Sequence, residues 1–371
     1  MGLSRFLARR RRELEKAILA ARSVAAGFEQ RRAADGMRLG EAEELVVFFV
    51  PTVHECNGGV MSIASLAATT RKLKPSAKVV TATMPGDPTL AKNSMFPNDE
   101  AVLTLGQICR RARPAKAILH LPEMSAGDFV PALSSRERKW LAGIPDLHVN
   151  ILDQNIDLMH PRADWENLFS LTSNVTQTTA HESCATQEIC NRYGVPLHHF
   201  SVNIDHSWWP RRAFGEKEKL IVFSPDPNEW EPKVRDAIRK GLPEYRIEVV
   251  RNMTFVQYLD LVSRAMFVVS FGEGFDGYFI QPFQTGTVGV AAYLPRFFPS
   301  EDWLRLENVY PSYEEMARRF PDDVRRWEGD ASAYAGLIAR FGEMDAKLYF
   351  DDALEGNMAR FYRGEYDFYP E

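Results

Sequence analysis

The chain has only four cysteines among its 371 residues: Cys56, Cys109, Cys184 and Cys190. No Cys-x-x-Cys pair occurs and no Cys/His cluster has zinc-ligand spacing, which excludes a zinc module or a disulfide framework as the organising principle. Free thiols in a reducing cytosol are the expectation, so the chain reads as cytoplasmic. No apolar run approaches the length of a membrane span, and no stretch resembles a secretory signal peptide. There is no excess of positive charge: 45 basic residues stand against 50 acidic ones, a net of −5, which argues against a nucleic-acid binder. What is present is an ordinary globular composition, 45% hydrophobic and 26% charged, over a length for which two domains are the natural prior.

One segment departs from that average. Residues 1–32 carry nine basic and three acidic side chains, and Leu3, Phe6, Leu7, Leu14, Ile18, Val24 and Phe28 recur roughly at helical spacing. This pattern fits a basic amphipathic helix lying on an anionic membrane surface, or a helix packed on the protein through its apolar stripe. The rest of the chain alternates short apolar runs with helical stretches. Leu45 to Val50 is a continuous apolar run of the kind found in a central parallel strand, and Pro51 ends it. The loop through His54, Asn57, Gly58 and Gly59 follows, then a helix from Val60 to Leu73. This loop is no Walker motif, because Gly-Lys-Ser/Thr is absent, and it lacks the three-glycine dinucleotide fingerprint. It is either a ligand-contacting loop or a plain β–α turn.

Further strands are expected at 78–83, 117–120 and 147–152, with a short β-like run at 172–177. Helices are expected near 101–111, 134–143 and 183–193. After Gly194-Val195-Pro196 the pattern breaks, and 206–218 reads as a linker. Strand, helix, strand, helix and strand then recur at 220–224, 231–240, 246–250, 254–264 and 266–270, and the tail from 331 to 362 is helical in pattern.

The last of these strands leads into the most informative stretch, Phe271-Gly272-Glu273-Gly274-Phe275-Asp276-Gly277. A helix-compatible segment, Tyr278 to Thr285, follows it. A strand that ends in three glycines and an acid before a helix puts backbone N–H groups and a positive helix end at the carboxyl edge of a parallel sheet, where anions and sugars can be held. On these residues alone, a tight glycine turn in any α/β protein is the alternative.

The Glu273-Gly274-Phe275 stretch resembles the Glu-Gly-Phe-Gly motif of the retaining glycosyltransferases of family four. That resemblance implies a GT-B fold: two doubly wound Rossmann-like α/β domains facing a central crevice, with C-terminal helices crossing back. The implied boundaries are an N-terminal helix at 1–40, an acceptor domain at 41–206, a nucleotide-sugar domain at 216–330, and helices at 331–371 bracing the first domain. The family has a second Glu, which holds the nucleotide's ribose, where this chain has Gln281. Glu273 is then the residue that contacts the transferred sugar. Gly274, Phe275, Asp276, Gly277, Gly58 and Gly59 fall in the donor-binding loops. The family's Arg and Lys that meet the diphosphate map onto Asn228 and Lys233, so the Arg is missing, with Arg251 as a substitute. His120 corresponds to a family passage in which a second His is Pro122 here, and His120 is taken as catalytic. His54, Asn57, Asp153 and Asn155 are the acceptor-side candidates; a polar turn is the plainer account of the last two.

No Asp-x-Asp triplet occurs, so no metal is expected, and no cofactor beyond a nucleotide-diphosphate sugar as co-substrate. The implied activity is metal-independent transfer of a hexose-type sugar to a saccharide or lipid-linked acceptor in surface-polysaccharide synthesis, with retention achieved without a protein nucleophile. The enzyme would be cytoplasmic, or peripheral on the inner face of the membrane through residues 1–32. The alternatives are a non-catalytic GT-B relative serving as a binding subunit, and a sugar-nucleotide epimerase.

Overall fold

The computed structural model describes residues 27–51, 56–87, 91–201, 205–345 and 353–371. The chain forms two compact units, one of residues 1–203 and 352–371 and the other of residues 204–351.

In the first unit, β1 (Glu44–Val50) is followed by α1 (Gly58–Leu73), β2 (Lys78–Thr83), β3 (Val102–Thr104), α2 (Leu105–Arg111), β4 (Lys116–Pro122), α3 (Ser135–Ala142), β5 (Asp146–Asp153), β6 (Val175–Thr179), α4 (Gln187–Tyr193) and β7 (Leu197–His199). The strands form one sheet in the order β3-β2-β1-β4-β5-β6-β7, every pair parallel. Parallel sheets are covered on both faces, so their strands are apolar throughout; in β1, Leu45 to Phe49 are all fully buried. The order reverses between β1 and β4, the point at which doubly wound sheets leave a ligand crevice at their carboxyl edge.

Side-chain caps fix where the helices start. Asn57 Oδ1 accepts from Val60 N (3.0 Å) at the head of α1, and Thr104/Gln107 and Ser134/Glu137 form capping boxes on α2 and α3. The helix expected from 101 starts at 105 because Val102–Thr104 instead pairs with β2. The helix expected from 183 starts at 187, where Thr186 supplies the cap. Residues 27–36 are helical and dock on this unit: Ala34 is fully buried and Gln30 Nε2 donates to Val102 O (3.0 Å). The remainder of the expected N-terminal helix, 1–26, lies outside the described residues.

The second unit contains β8 (Glu218–Phe223), α5 (Glu231–Gly241), β9 (Arg246–Val249), α6 (Phe255–Arg264), β10 (Ala265–Val269), α7 (Gly277–Gln284), β11 (Val288–Ala292), β12 (Val309–Tyr310), α8 (Tyr313–Gly329) and α9 (Ala331–Asp345). Its parallel sheet runs β12-β11-β10-β8-β9. Here the order reverses between β8 and β10. Helix α9 belongs to this unit, its Tyr334 donating to Met266 O (2.6 Å), and the return to the first unit begins at 352 rather than at 331. There α10 (Ala353–Tyr362) buries Leu354, Met358 and Phe361 against Val46, Phe48 and Ile118. Among the described residues, no helix is long and apolar enough to cross a membrane.

Candidate functional site

The loops after β8 and β10 meet at the reversal of the second sheet, and hydrogen bonds tie them together. Ser224 Oγ accepts from Phe271 N (2.9 Å), and Asn228 Nδ2 donates to Phe271 O (2.9 Å). Gly272 packs so closely that a Cβ there would stand 2.9 Å from Asp226 Cγ. Gly274 has φ +76° and would bring a Cβ to 2.8 Å from Ala292 O, so both its backbone conformation and its surroundings require glycine. The result is a tight loop holding Glu273 half-buried beside Asp226 and Asp276.

Three carboxylates converge there. Burial, then the charges of Asp276 and Asp226, push the Glu273 carboxyl above the usual range. Asp276 is pushed up to about 6, chiefly by burial. The hydroxyl of Tyr313, the first residue of α8, faces the same cluster, and burial together with Asp276 and Asp226 raises its pKa. Gln281, one turn into α7, is half-buried and lies over Gly277, its Nε2 2.9 Å from where a Cβ of Gly277 would stand. Thus Glu273, Gly274, Asp276, Gly277 and Gln281 come together.

Other candidates are placed differently. Asp276 is the N-cap of α7: Oδ1 accepts from Tyr278 N (2.8 Å) and Phe279 N (3.1 Å), and Oδ2 accepts from Ser270 Oγ (2.7 Å). The positive helix end expected to be open to an anion is therefore already engaged by this carboxylate. Phe275 is 6% exposed and packs edge-on to Trp303 (4.6 Å), which makes its side chain a core anchor rather than a ligand contact. Lys233 is exposed on the first turn of α5 with its ammonium over the Trp230 ring (3.7 Å). Arg251 is exposed just past β9, the strand next to β8.

In the first unit, the carboxyl edge gathers Asn57, Gly58 and Gly59 at the head of α1 with Asp153, the last residue of β5, and Gln154 after it. A Cβ on Gly59 would sit 2.6 Å from Gln154 Oε1. Asp153 is 2% exposed and Glu123, which directly follows β4, is 4% exposed. Burial lifts both carboxyls to about 7; the Glu123 charge adds to the shift at Asp153, while backbone N–H groups of Gln154 and Asn155 restrain that of Glu123. One Asp153 oxygen and the Gln154 amide nitrogen have no hydrogen-bond partner among the described residues, and they line a small recess with Ser62, Thr178, Thr179 and Ser201. Asn155 caps a single turn through Asp157 N (3.0 Å). His54 lies outside the described residues.

The reading of His120 as catalytic is corrected. Its ring is fully buried, stacked on Phe48 at 4.3 Å, and its Nδ1 accepts from Asn150 Nδ2 (3.1 Å). Burial drives its pKa well down, so it is a neutral core histidine under α10 with no open face. Sequence reasoning did not single out Glu123 as a site residue, nor Asp226 or Tyr313. Glu123 directly follows β4 and Asp226 lies three residues past the end of β8, and only the strand order reveals that they stand beside the other acids.

No protein-family model and no curated protein matches the sequence. Solved structures do match in shape. A glycosyltransferase from Rickettsia africae aligns with a TM-score of 0.54 at 8% identity over 87% of this chain and 98% of that one. Sucrose-phosphate synthase from Thermosynechococcus elongatus aligns at 0.53 with 9% identity over 86% and 98%. Anabaena HepE, solved in complex with UDP-glucose, aligns at 0.51 with 7% identity over 86% and 99%. At such identities the likeness concerns the fold, and the fold is GT-B: two Rossmann-like parallel α/β units.

Proposed function

We propose that this protein is a metal-independent, retaining glycosyltransferase that moves a sugar from a nucleotide-diphosphate donor to a saccharide or lipid-linked acceptor, in the synthesis of a surface polysaccharide. The observation that carries the reading is the placement of the Glu273 loop at the strand-order reversal of the second GT-B unit. In this reading Glu273 positions the transferred sugar, Gln281 holds the ribose, and the backbone at Gly274 and Gly277 approaches the donor. Lys233 and Arg251 answer the charge that grows on the leaving diphosphate. In the first unit, Gly58 and Gly59 approach the donor, and Asn57, Asp153 and Asn155, with His54, serve the acceptor. Because residues 27–36 pack on the first unit, any hold on an anionic membrane surface by the basic stretch 1–32 falls to residues 1–26.

A second reading, a non-catalytic GT-B binding subunit, is favoured by two features. Asp276 engages the α7 N-terminus that would otherwise meet phosphate, and Asn228, bound to Phe271 O, stands where the family's Arg is expected. Thermal-shift screening against UDP, GDP, dTDP and CMP sugars, followed by turnover with and without EDTA, separates the readings. The transferase reading expects one nucleotide sugar to bind and turn over in EDTA, and Glu273→Ala to abolish turnover with an unchanged melting curve. Binding without turnover for any acceptor selects the binding subunit, turnover without acceptor the epimerase, and near-normal activity of Glu273→Ala sinks the site assignment.

A further inference from the structure

A second pocket lies wholly within the first unit, between α1, β2 and the loop leading to β3. Val50, Pro51, Val60, Ala64 and Phe96 line it, and it is open to solvent on one side. The polar groups in its wall are already spent on the protein. Glu100, 6% exposed, is held by Arg71 through two bonds (2.5 and 2.7 Å) and by Thr81 Oγ1 (2.5 Å). Asn98 donates to Asn93 O (2.8 Å) and Phe96 O (2.9 Å) and accepts from Glu100 N (3.1 Å).

A sugar ring or phosphate entering this space would give up water without replacement hydrogen bonds, whereas a hydrocarbon group would lose nothing. Pro51 and Val60, both in its lining, bracket the loop carrying Asn57, Gly58 and Gly59. The buried charge at the wall is neutralised by Arg71, so the pocket selects against charged occupants of either sign.

We propose that this pocket takes an uncharged hydrocarbon chain or ring carried by the acceptor, so that the acceptor is lipid-linked or otherwise bears an apolar aglycone, not a free saccharide. The inference rests on the proposed function for the word acceptor; the pocket's preference for hydrocarbon does not.

The test is fluorescence titration of the full chain with the neutral probe N-phenyl-1-naphthylamine, with competition by n-octyl and methyl β-D-glucoside below the detergent's micelle concentration. Saturable binding at one site is expected, with displacement by the octyl but not the methyl glycoside. Ala64→Phe, which fills the pocket, should weaken the probe at least tenfold with an unchanged melting curve. If that variant does not fold, Val60→Thr, which keeps the volume and adds a hydroxyl, should weaken it at least threefold. Absence of saturable binding, or equal binding by the folded variants, overturns the proposal. In parallel, the nucleotide-sugar screen reads the proposed function by itself. Probe binding with no nucleotide-sugar binding leaves the pocket standing and removes the transferase; turnover onto a soluble saccharide without probe binding does the reverse.

Discussion

Asp153 gives up water on folding and acquires a carboxyl neighbour, and that combination has a pH signature. The unfolded chain titrates its Asp and Glu near 3.8 and 4.5, whereas folded Asp153 and Glu123 both titrate near 7. Between those values the folded state binds more protons than the unfolded state, so the pair's contribution to stability falls as pH rises from about 4 to 7. Each pKa unit corresponds to about 1.4 kcal/mol, which puts the cost at pH 8 on the order of a few kcal/mol. Asp153→Asn should therefore unfold at higher urea than the parent at pH 8 and at nearly the same urea at pH 4. Equal midpoints at pH 8 would show that the carboxyl is better solvated than its burial implies. A carboxyl kept at such a cost is a candidate for function, and this one faces a recess with an unsatisfied oxygen.

Gln281 gives the sharpest residue-scale test of the donor assignment. An amide both donates to and accepts from ribose hydroxyls, and bonds to a carboxylate are stronger by roughly 1 kcal/mol. Gln281→Glu should tighten a nucleoside diphosphate by up to about tenfold and Gln281→Ala should weaken it comparably, measured by titration calorimetry. Identical affinities for Ala and Gln would mean that position 281 does not touch the ribose. The glutamine was singled out in the sequence only through the resemblance, as the position of the motif's second acid. Asp226 was not, because it lies 47 residues before Glu273 in the chain and only the β8–β10 pairing brings it there.

At the scale of the element, α7 depends on Asp276 in two opposed ways. Its carboxylate caps the helix, and its burial beside other acids raises its pKa to about 6. Comparing two substitutions separates these effects. Asp276→Asn keeps an acceptor for the cap and removes the charge, whereas Asp276→Ala removes both. At pH 8 the alanine variant should be less stable than the asparagine variant by about 1 kcal/mol, the ordinary worth of an N-cap. Equal melting temperatures would deny the cap any role. Helices α1, α5 and α6 were readable from the sequence, α5 with Gly241 at its end and α6 with Thr254 as its cap. Helix α8 was not, although Met316, Phe320, Val324 and Trp327 stand on one buried face. Its dense charge and internal Pro321 masked that stripe. The two-residue β12 and three-residue β3 and β7 are too short for any period to register, and their pairing partners alone make them strands.

For the whole molecule, the sequence displayed two successive β/α series but not how each would be wound. The first sheet places its reversal between β1 and β4, the second between β8 and β10, and those reversals decide which loops become site loops. Nor did local pattern show that the last described residues, 353–371, complete the first unit's core. Helix α10 places Leu354, Met358 and Phe361 at 4%, 0% and 1% exposure under β1 and β4. Tyr362 OH is 2.7 Å from Thr70 Oγ1, and Phe368 exchanges two backbone bonds with Leu197 (3.0 Å each). Met358→Ala should cost about 2–5 kcal/mol, a large share of a domain's stability. Because residue 358 belongs to the first unit and 204–351 to the other, the loss should be confined. Hydrogen exchange read by mass spectrometry should show faster exchange in β1, β4 and β5 of the variant, with β8, β10 and β11 unchanged. Equal loosening of both sheets would mean that the two units unfold as one, and unchanged exchange in β1 would mean that α10 does not support that sheet.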